Sequence, residues 1–211
     1  MFFGRVLLMR FVLASGLALM LAVGTASQAG AHPHVWVTVE TTLLFDAQKA
    51  VTGLKQRWTF DEMYSVYSLE GLDKNHDGVF DASSLKALAE ENMTSLKDYK
   101  YFTEITVDGL ALELAPPVEY SAERDAKKIL HLTFTLPLKT PLSARQRELK
   151  VQVFDPEFYI ALKFAEGKAI QLPAAAAATC KTSIEAPTGD ATTAKSWGAA
   201  YAATAVVACG Q

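Results

Sequence analysis

Cysteine is scarce in this chain: two residues of 211, Cys180 and Cys209. A basic excess is missing as well. Lys and Arg number 20 against 23 Asp and Glu, a net charge of −3, and a chain without a basic face is excluded as a general nucleic-acid binder. There is no Gly-rich phosphate loop, no nucleophile elbow and no cysteine nucleophile with a base beside it. No internal repeat occurs. Beyond the first thirty or so residues the apolar clusters are only strand-length, too short for a membrane span. What is present is a chain half hydrophobic by count with 10% aromatics, too apolar to stay disordered. Its length allows one domain, or one with a small appendage.

The apolar content is uneven. Arg5 and Arg10 precede an apolar run from Phe11 to Val23, and small and polar residues then end in Gln28-Ala29-Gly30-Ala31. A charged start, an apolar middle and an Ala-x-Ala site form the pattern of a cleavable secretory signal. Cleavage after Ala31 predicts a mature chain of residues 32–211 with net charge −5, since Arg5 and Arg10 are the only charges removed. The expectation is an exported protein, periplasmic in a Gram-negative host and not membrane-spanning once cleaved; the alternative is an uncleaved N-terminal anchor, for which the apolar run is short. In an oxidising compartment Cys180 and Cys209 are expected to pair. A metal-ligand role for them is weaker, because their spacing is long and no His lies nearby.

Periodicity predicts mainly antiparallel β structure with a helical insertion, an α+β chain whose sheets form a two-layer sandwich. Val35, Val37 and Val39 alternate into a strand reaching Phe45, and Asp46-Ala47-Gln48-Lys49 reads as a hairpin turn. Leu54, Gln56, Trp58 and Phe60 share one face of the return strand. At Asp61 the period becomes helical. Asp61 or Thr59 is the N-cap, and Met63, Val66, Tyr67 and Glu70 lie along one face. Ser83 or Ser84 is expected to cap a second helix with Leu85, Leu88, Ala89 and Leu96 on its apolar side, so the insertion spans 61–99. Strands then return: 102–107, an Asp108-Gly109 hairpin turn, Leu110 to Leu114, Val118 to Glu123, Ile129 to Leu136 and Leu149 to Val153. Phe158–Phe164 and Ala169–Leu172 read as a hairpin around Glu166-Gly167. The Ala-rich stretch 173–179 reads as a linker. Residues 180–211 read as a small tail of two short strands, with a helix near Thr193 to Tyr201 between them.

Two features carry metal chemistry. In Asp73-Lys74-Asn75-His76-Asp77-Gly78-Val79-Phe80-Asp81, oxygen donors at the first, third and fifth positions (Asp73, Asn75, Asp77) converge on one hard cation. Gly78 permits the sharp turn, Val79 offers its carbonyl, and Asp81 acts through water. This is an EF-hand-like Ca²⁺ loop between two helices. Its twelfth position is Ser84 instead of a bidentate Glu, which predicts weak, roughly millimolar affinity. The bland alternative is an acidic helix connector that holds no ion.

The second feature is His32-Pro33-His34. After cleavage at Ala31, His32 presents a free α-amine and an imidazole on one residue, with His34 two residues on and Glu40 on the same strand face. His131, on the outward face of its own strand, joins this set if the two strands are neighbours. Such a nitrogen set suits Zn²⁺, Ni²⁺ or Cu²⁺. Pro33 disfavours a square-planar site built on deprotonated backbone amides. The alternative is a solvated His pair at a frayed terminus. Asp155-Pro156-Glu157-Phe158-Tyr159 reads as a corner between strands, and Trp58-Thr59-Phe60-Asp61-Glu62 as core followed by a helix start.

Several of these segments together resemble one exported bacterial family. They are His32-Pro33-His34-Val35-Trp36-Val37, Trp58 to Glu62, Leu69-Glu70-Gly71-Leu72-Asp73, the EF-hand-like loop, Tyr101-Phe102-Thr103, Phe154-Asp155-Pro156 and the late Cys pair. The family is the domain-of-unknown-function family 1007, often described as a periplasmic component of an ABC-type transport system. The resemblance runs from His32 to about Leu172. It implies association with a nickel/cobalt-type or zinc permease as membrane partner, and it implies no established enzymatic activity. Family members commonly end the acidic loop in Glu, so Ser84 is a departure. The resulting expectation is a non-catalytic metal-binding accessory of transition-metal transport, with Zn²⁺ or Ni²⁺ at His32 and His34. The alternatives are a Ca²⁺-stabilised module that docks on a membrane partner and, more remotely, a copper histidine-brace enzyme.

Overall fold

Two β-sheets sharing one apolar core organise the computed structural model, which describes residues 33–73, 80–145, 147–190 and 192–210. By internal contacts the chain divides into residues 1–31 and His32–Gln211, and everything described belongs to the second unit. Among the described residues no helix is long and apolar enough to cross a membrane.

β1 (Val35–Phe45) and β2 (Ala50–Phe60) form the opening antiparallel hairpin, in register from Val37 opposite Phe60 to Leu44 opposite Gly53, with a shift before Phe45 pairs with Val51. The helices α1 (Glu62–Glu70) and α2 (Ala82–Leu96) follow, and a 3₁₀ turn (Lys97–Phe102) leads into β3 (Thr103–Val107) and β4 (Leu110–Ala111). Then come β5 (Val118–Arg124), β6 (Leu130–Ser143), β7 (Glu148–Val153), β8 (Ile160–Phe164), β9 (Ile170–Gln171), α3 (Ala174–Ala177), β10 (Cys180–Glu185), α4 (Trp197–Tyr201) and β11 (Thr204–Cys209). One sheet has the order β5-β6-β2-β1-β8, with β9 also beside β1, and the other has the order β10-β11-β7-β3-β4. The alternation read from the sequence sets the inner faces. Val37, Val39, Leu54, Trp58, Leu132 and Phe134 of the first sheet share one cluster with Ile105, Leu149, Val151 and Val207 of the second. Trp58 is central, edge-on to Phe134 at 5.2 Å and stacked with Phe102 at 6.4 Å. Gln56 is fully buried on the same face, where its Oε1 accepts a hydrogen bond from Thr41 Oγ1 at 2.8 Å.

Three turns use one device. Asp46 Oδ1 accepts from the amides of Gln48 and Ala50, Asp125 Oδ1 from those of Lys127 and Ile129, and the two carboxylate oxygens of Asp155 from those of Glu157 and Ile160. In each the residue three positions on (Lys49, Lys128, Phe158) sits in the left-handed region, at φ of 64°, 68° and 60°. That conformation is costly for a side-chain-bearing residue. The aspartate offsets the cost by satisfying amides that the reversal would orphan. Asp108-Gly109 forms the expected tight turn, with φ of 49° and 81°.

Four expectations are corrected. Residues 158–172 are not a hairpin: β8 and β9 both run parallel to β1, at Val35–Val39 and Thr41–Thr42. They are successive parts of one edge strand interrupted by a turn, with Ala165 N donating to Val39 O and Thr41 N to Ala169 O. The return strand expected over Leu110–Leu114 shortens to β4, and Leu114 bridges separately to Leu138. The Ala-rich stretch is no open linker, since α3 forms there with Ala176 buried. The C-terminal residues are not an appendage, because β11 pairs along β7 and buries Ala205 and Val207 in the common core. Cys180 and Cys209 face each other across β10 and β11 and form a disulfide, as expected.

Candidate functional site

His34 is held at the start of β1. Its backbone amide donates to Tyr159 O at 2.8 Å, its ring lies 4.7 Å from the Tyr159 ring, and the residue is exposed. Immediately after it β1 is bonded on both sides, by β2 and by β8. Asp61 fixes this corner further. Its Oδ2 accepts from Trp36 N, its backbone amide donates to Trp36 O, and its Oδ1 accepts from Tyr64 N to cap α1. One carboxylate thus ties the helix start to the strand that carries His34.

The other expected transition-metal ligands are not brought to His34. Glu40 lies six residues farther along, roughly 20 Å away at about 3.3 Å per strand residue, and its carboxylate accepts a hydrogen bond from Gln171 Nε2. The strand of His131 neighbours β2, not β1. The register Thr38–Thr59–His131 places it about 10 Å across the sheet and about 13 Å along from His34. The ring of His131 is buried and bridges two partners, Thr59 Oγ1 at 2.9 Å from Nδ1 and Asp125 Oδ2 at 3.2 Å from Nε2. Backbone and side-chain hydrogen bonds, from Ile129 and then from His131, lower the Asp125 carboxyl below its ordinary range. His131 is a structural tie among β2, β6 and the turn after β5. Among the described residues no group of three or more His, Cys, Asp or Glu gathers as a metal site. Of the set His32, His34, Glu40 and His131, His34 is exposed, Glu40 is half-buried and His131 is buried; His32 lies outside the described residues.

The calcium loop is described only at its edges. Asn75, Asp77 and Val79 fall outside the described residues. Asp81 and Ser84 are bonded to each other: Asp81 Oδ1 accepts from Ser84 N at 2.7 Å and from Ser83 Oγ at 2.5 Å, and Oδ2 accepts from Ser84 Oγ at 3.0 Å. The two residues are the N-cap and third position of α2, so the cap is Asp81 and not Ser83 or Ser84 as expected. The Ser83 hydroxyl first, then the amide and hydroxyl of Ser84, lower the Asp81 carboxyl to about 2. A carboxyl depressed on folding stabilises the fold above its unfolded value near 4, and that contribution disappears as pH falls toward 2. Wild type is therefore expected to exceed Asp81→Asn in stability above pH 4, with the difference closing between pH 4 and 2. Denaturant melts at pH 6, 4 and 2.5, followed by circular dichroism, check this; a difference independent of pH would contradict it.

Three of the segments that carry the family resemblance, those of Trp58, Phe102 and Phe154, meet inside the fold. Phe154 N donates to Phe102 O at 2.8 Å, Phe102 stacks on Trp58, and Asp155 organises the corner that leads to Tyr159 and His34. Lys100, Tyr101 and Phe102 are three consecutive left-handed residues, with φ of 52°, 55° and 49°. The aromatic packing of Tyr101 against Phe134 and of Phe102 against Trp58 holds them there.

The fold and site define a disulfide-closed protein of two mixed and antiparallel β-sheets that presents a histidine at the start of its first strand. A family model, "Protein of unknown function (DUF1007)", matches residues 17–209. The chain belongs to this family. It is similar to an uncharacterized protein of Haemophilus influenzae, with 22% identity over 146 residues that span 68% of each chain.

Proposed function

We propose that this protein is an exported, non-catalytic accessory of a transition-metal transport system. Its two-layer β scaffold presents the His32-Pro33-His34 terminus to a cargo ion, Zn²⁺ or Ni²⁺, for transfer to a membrane permease. The signal-like start and the disulfide support export to the periplasm. One observation carries the metal role. His34 is exposed at the start of a strand bonded on both sides, so its imidazole is offered from a fixed edge of the sheet. With Glu40 and His131 engaged elsewhere, the protein supplies an incomplete coordination shell. An open shell favours transfer over storage, because the recipient can add its ligands before the donor's are lost.

The test uses the exported protein recovered with its processed N-terminus, titrated with Zn²⁺, Ni²⁺ and Cu²⁺ against a competing chelator. The variant His32→Ala/His34→Ala is expected to lose at least about tenfold in affinity for the preferred ion, while Glu40→Gln and His131→Gln change it little. Equal affinity in wild type and the double variant would overturn the terminal site.

A further inference from the structure

The face of α1 along which the sequence sets Met63, Val66 and Tyr67 is turned to solvent. Met63 is 75% exposed, Val66 55% and Tyr67 77%. The opposite face holds the helix down. Leu69 is buried, Tyr64 stacks on Phe60 at 4.7 Å, and the buried Ser65 hydroxyl donates to Asp61 O and accepts from Leu130 N. These contacts fix the rotation of α1 about its axis, so the three apolar side chains cannot turn inward. They stand at i, i+3 and i+4, the spacing that forms one continuous ridge. Glu62 and Glu70 flank it, and the helix, Glu62 to Glu70, contains no Lys or Arg.

We propose that this ridge docks a basic amphipathic helix of a partner protein, with apolar residues on the ridge and Lys or Arg beside Glu62 and Glu70. Charge complementarity selects this occupant. A second copy packed antiparallel would set Glu62 of one chain beside Glu70 of the other, and like charges at that range repel. An anionic membrane surface would meet two carboxylates. A helix carrying apolar residues between cations satisfies both features of the ridge, in the helix-on-groove mode. This surface is independent of the His34 edge, so either role can fail without the other.

The probe is a pair of labelled helical peptides with leucines at i, i+3, i+4 and i+7, one flanked by lysines and one by glutamates, titrated by fluorescence anisotropy. The lysine peptide is expected to bind the wild-type protein and the glutamate peptide at least tenfold more weakly. Val66→Asp is expected to weaken the lysine peptide at least tenfold although it adds a negative charge, which separates ridge docking from diffuse attraction. Met63→Ser/Tyr67→Ser should act the same way, and all three positions are exposed, so melting should be unchanged. Glu62→Lys/Glu70→Lys is expected to invert the peptide preference. Absence of lysine-peptide binding, an undiminished affinity in Val66→Asp, or an unchanged preference after charge reversal would each overturn the proposal. So would Val66-dependent dimerisation in sedimentation, or Val66-dependent binding to vesicles one-third phosphatidylglycerol.

Discussion

Replacing Cys180 and Cys209 together by alanine is expected to remove about 3–4 kcal/mol of stability. The disulfide closes a span of 29 residues, and a loop of that length sets the chain-entropy contribution at this magnitude. For a protein of this size each kcal/mol moves the melting midpoint by about 2–4 °C, so a fall of roughly 10 °C is expected. The loss should be uneven. β10 is an edge strand whose residues beyond Cys180 are exposed and whose ladder partner is β11. β11 is also bonded to β7 and buries Ala205 and Val207. The amides of β10 should therefore lose hydrogen-exchange protection first, and those of β11 should keep more of theirs. Melting of the double variant, and of wild type under reductant, reads the first effect; amide exchange reads the second. A midpoint shift under about 3 °C would mean that the β11–β7 ladder alone holds the C-terminal segment.

Much of this fold is legible in the sequence where one strong local signal coincides with the tertiary demand. The alternation from Val35 to Phe45 and from Leu54 to Phe60, the Asp108-Gly109 turn and the Asp61 cap are all of this kind. The departures come where tertiary pairing decides. β8 and β9 look like a hairpin because Glu166-Gly167 is a good turn, but β1 has a bare edge, and a parallel extension along it satisfies both strands. On α1 the hydrophobic spacing is real, yet Ser65 points inward because Leu130 N and Asp61 O need its hydroxyl, and a polar residue used in that way is invisible to a pattern of apolar positions. His131 shows the same limit from the other side. Its outward parity was legible; that Thr59 and Asp125 would occupy both ring nitrogens depends on which strands are neighbours. The segments that carry the family resemblance divide accordingly. Trp58, Phe102, Phe154 and Asp155 build scaffold, while His34 stands exposed at the start of β1 against Tyr159.

Gly198→Ala is expected to be the most damaging single-methyl change, at about 2–3 kcal/mol. A Cβ there would lie 1.7 Å from Asp155 O and 2.7 Å from Asp155 C. Both are backbone atoms of a residue that is itself buried and bonded to Glu157 N and Ile160 N. No flexible side chain can yield, so either α4 lifts from the corner or the corner shifts, and overpacking of this kind costs about 1–3 kcal/mol or more. Gly71→Ala supplies the contrast. Gly71 has φ −76° and nothing within 4 Å of an added Cβ, so the same methyl is expected to stabilise by about 0.4–1 kcal/mol through the unfolded chain. Denaturant melts of both variants should move in opposite directions. The corner also starts β8 and positions Tyr159 beside His34, with Phe158 5.2 Å from Tyr201 of α4. Lifting α4 should therefore disturb the Tyr159–His34 contact before the core opens. In Gly198→Ala the His34 ring resonances are expected to shift at temperatures where the Trp58 indole signal is still native. If the two signals change together, α4 and the His34 edge belong to the same cooperative unit as the core.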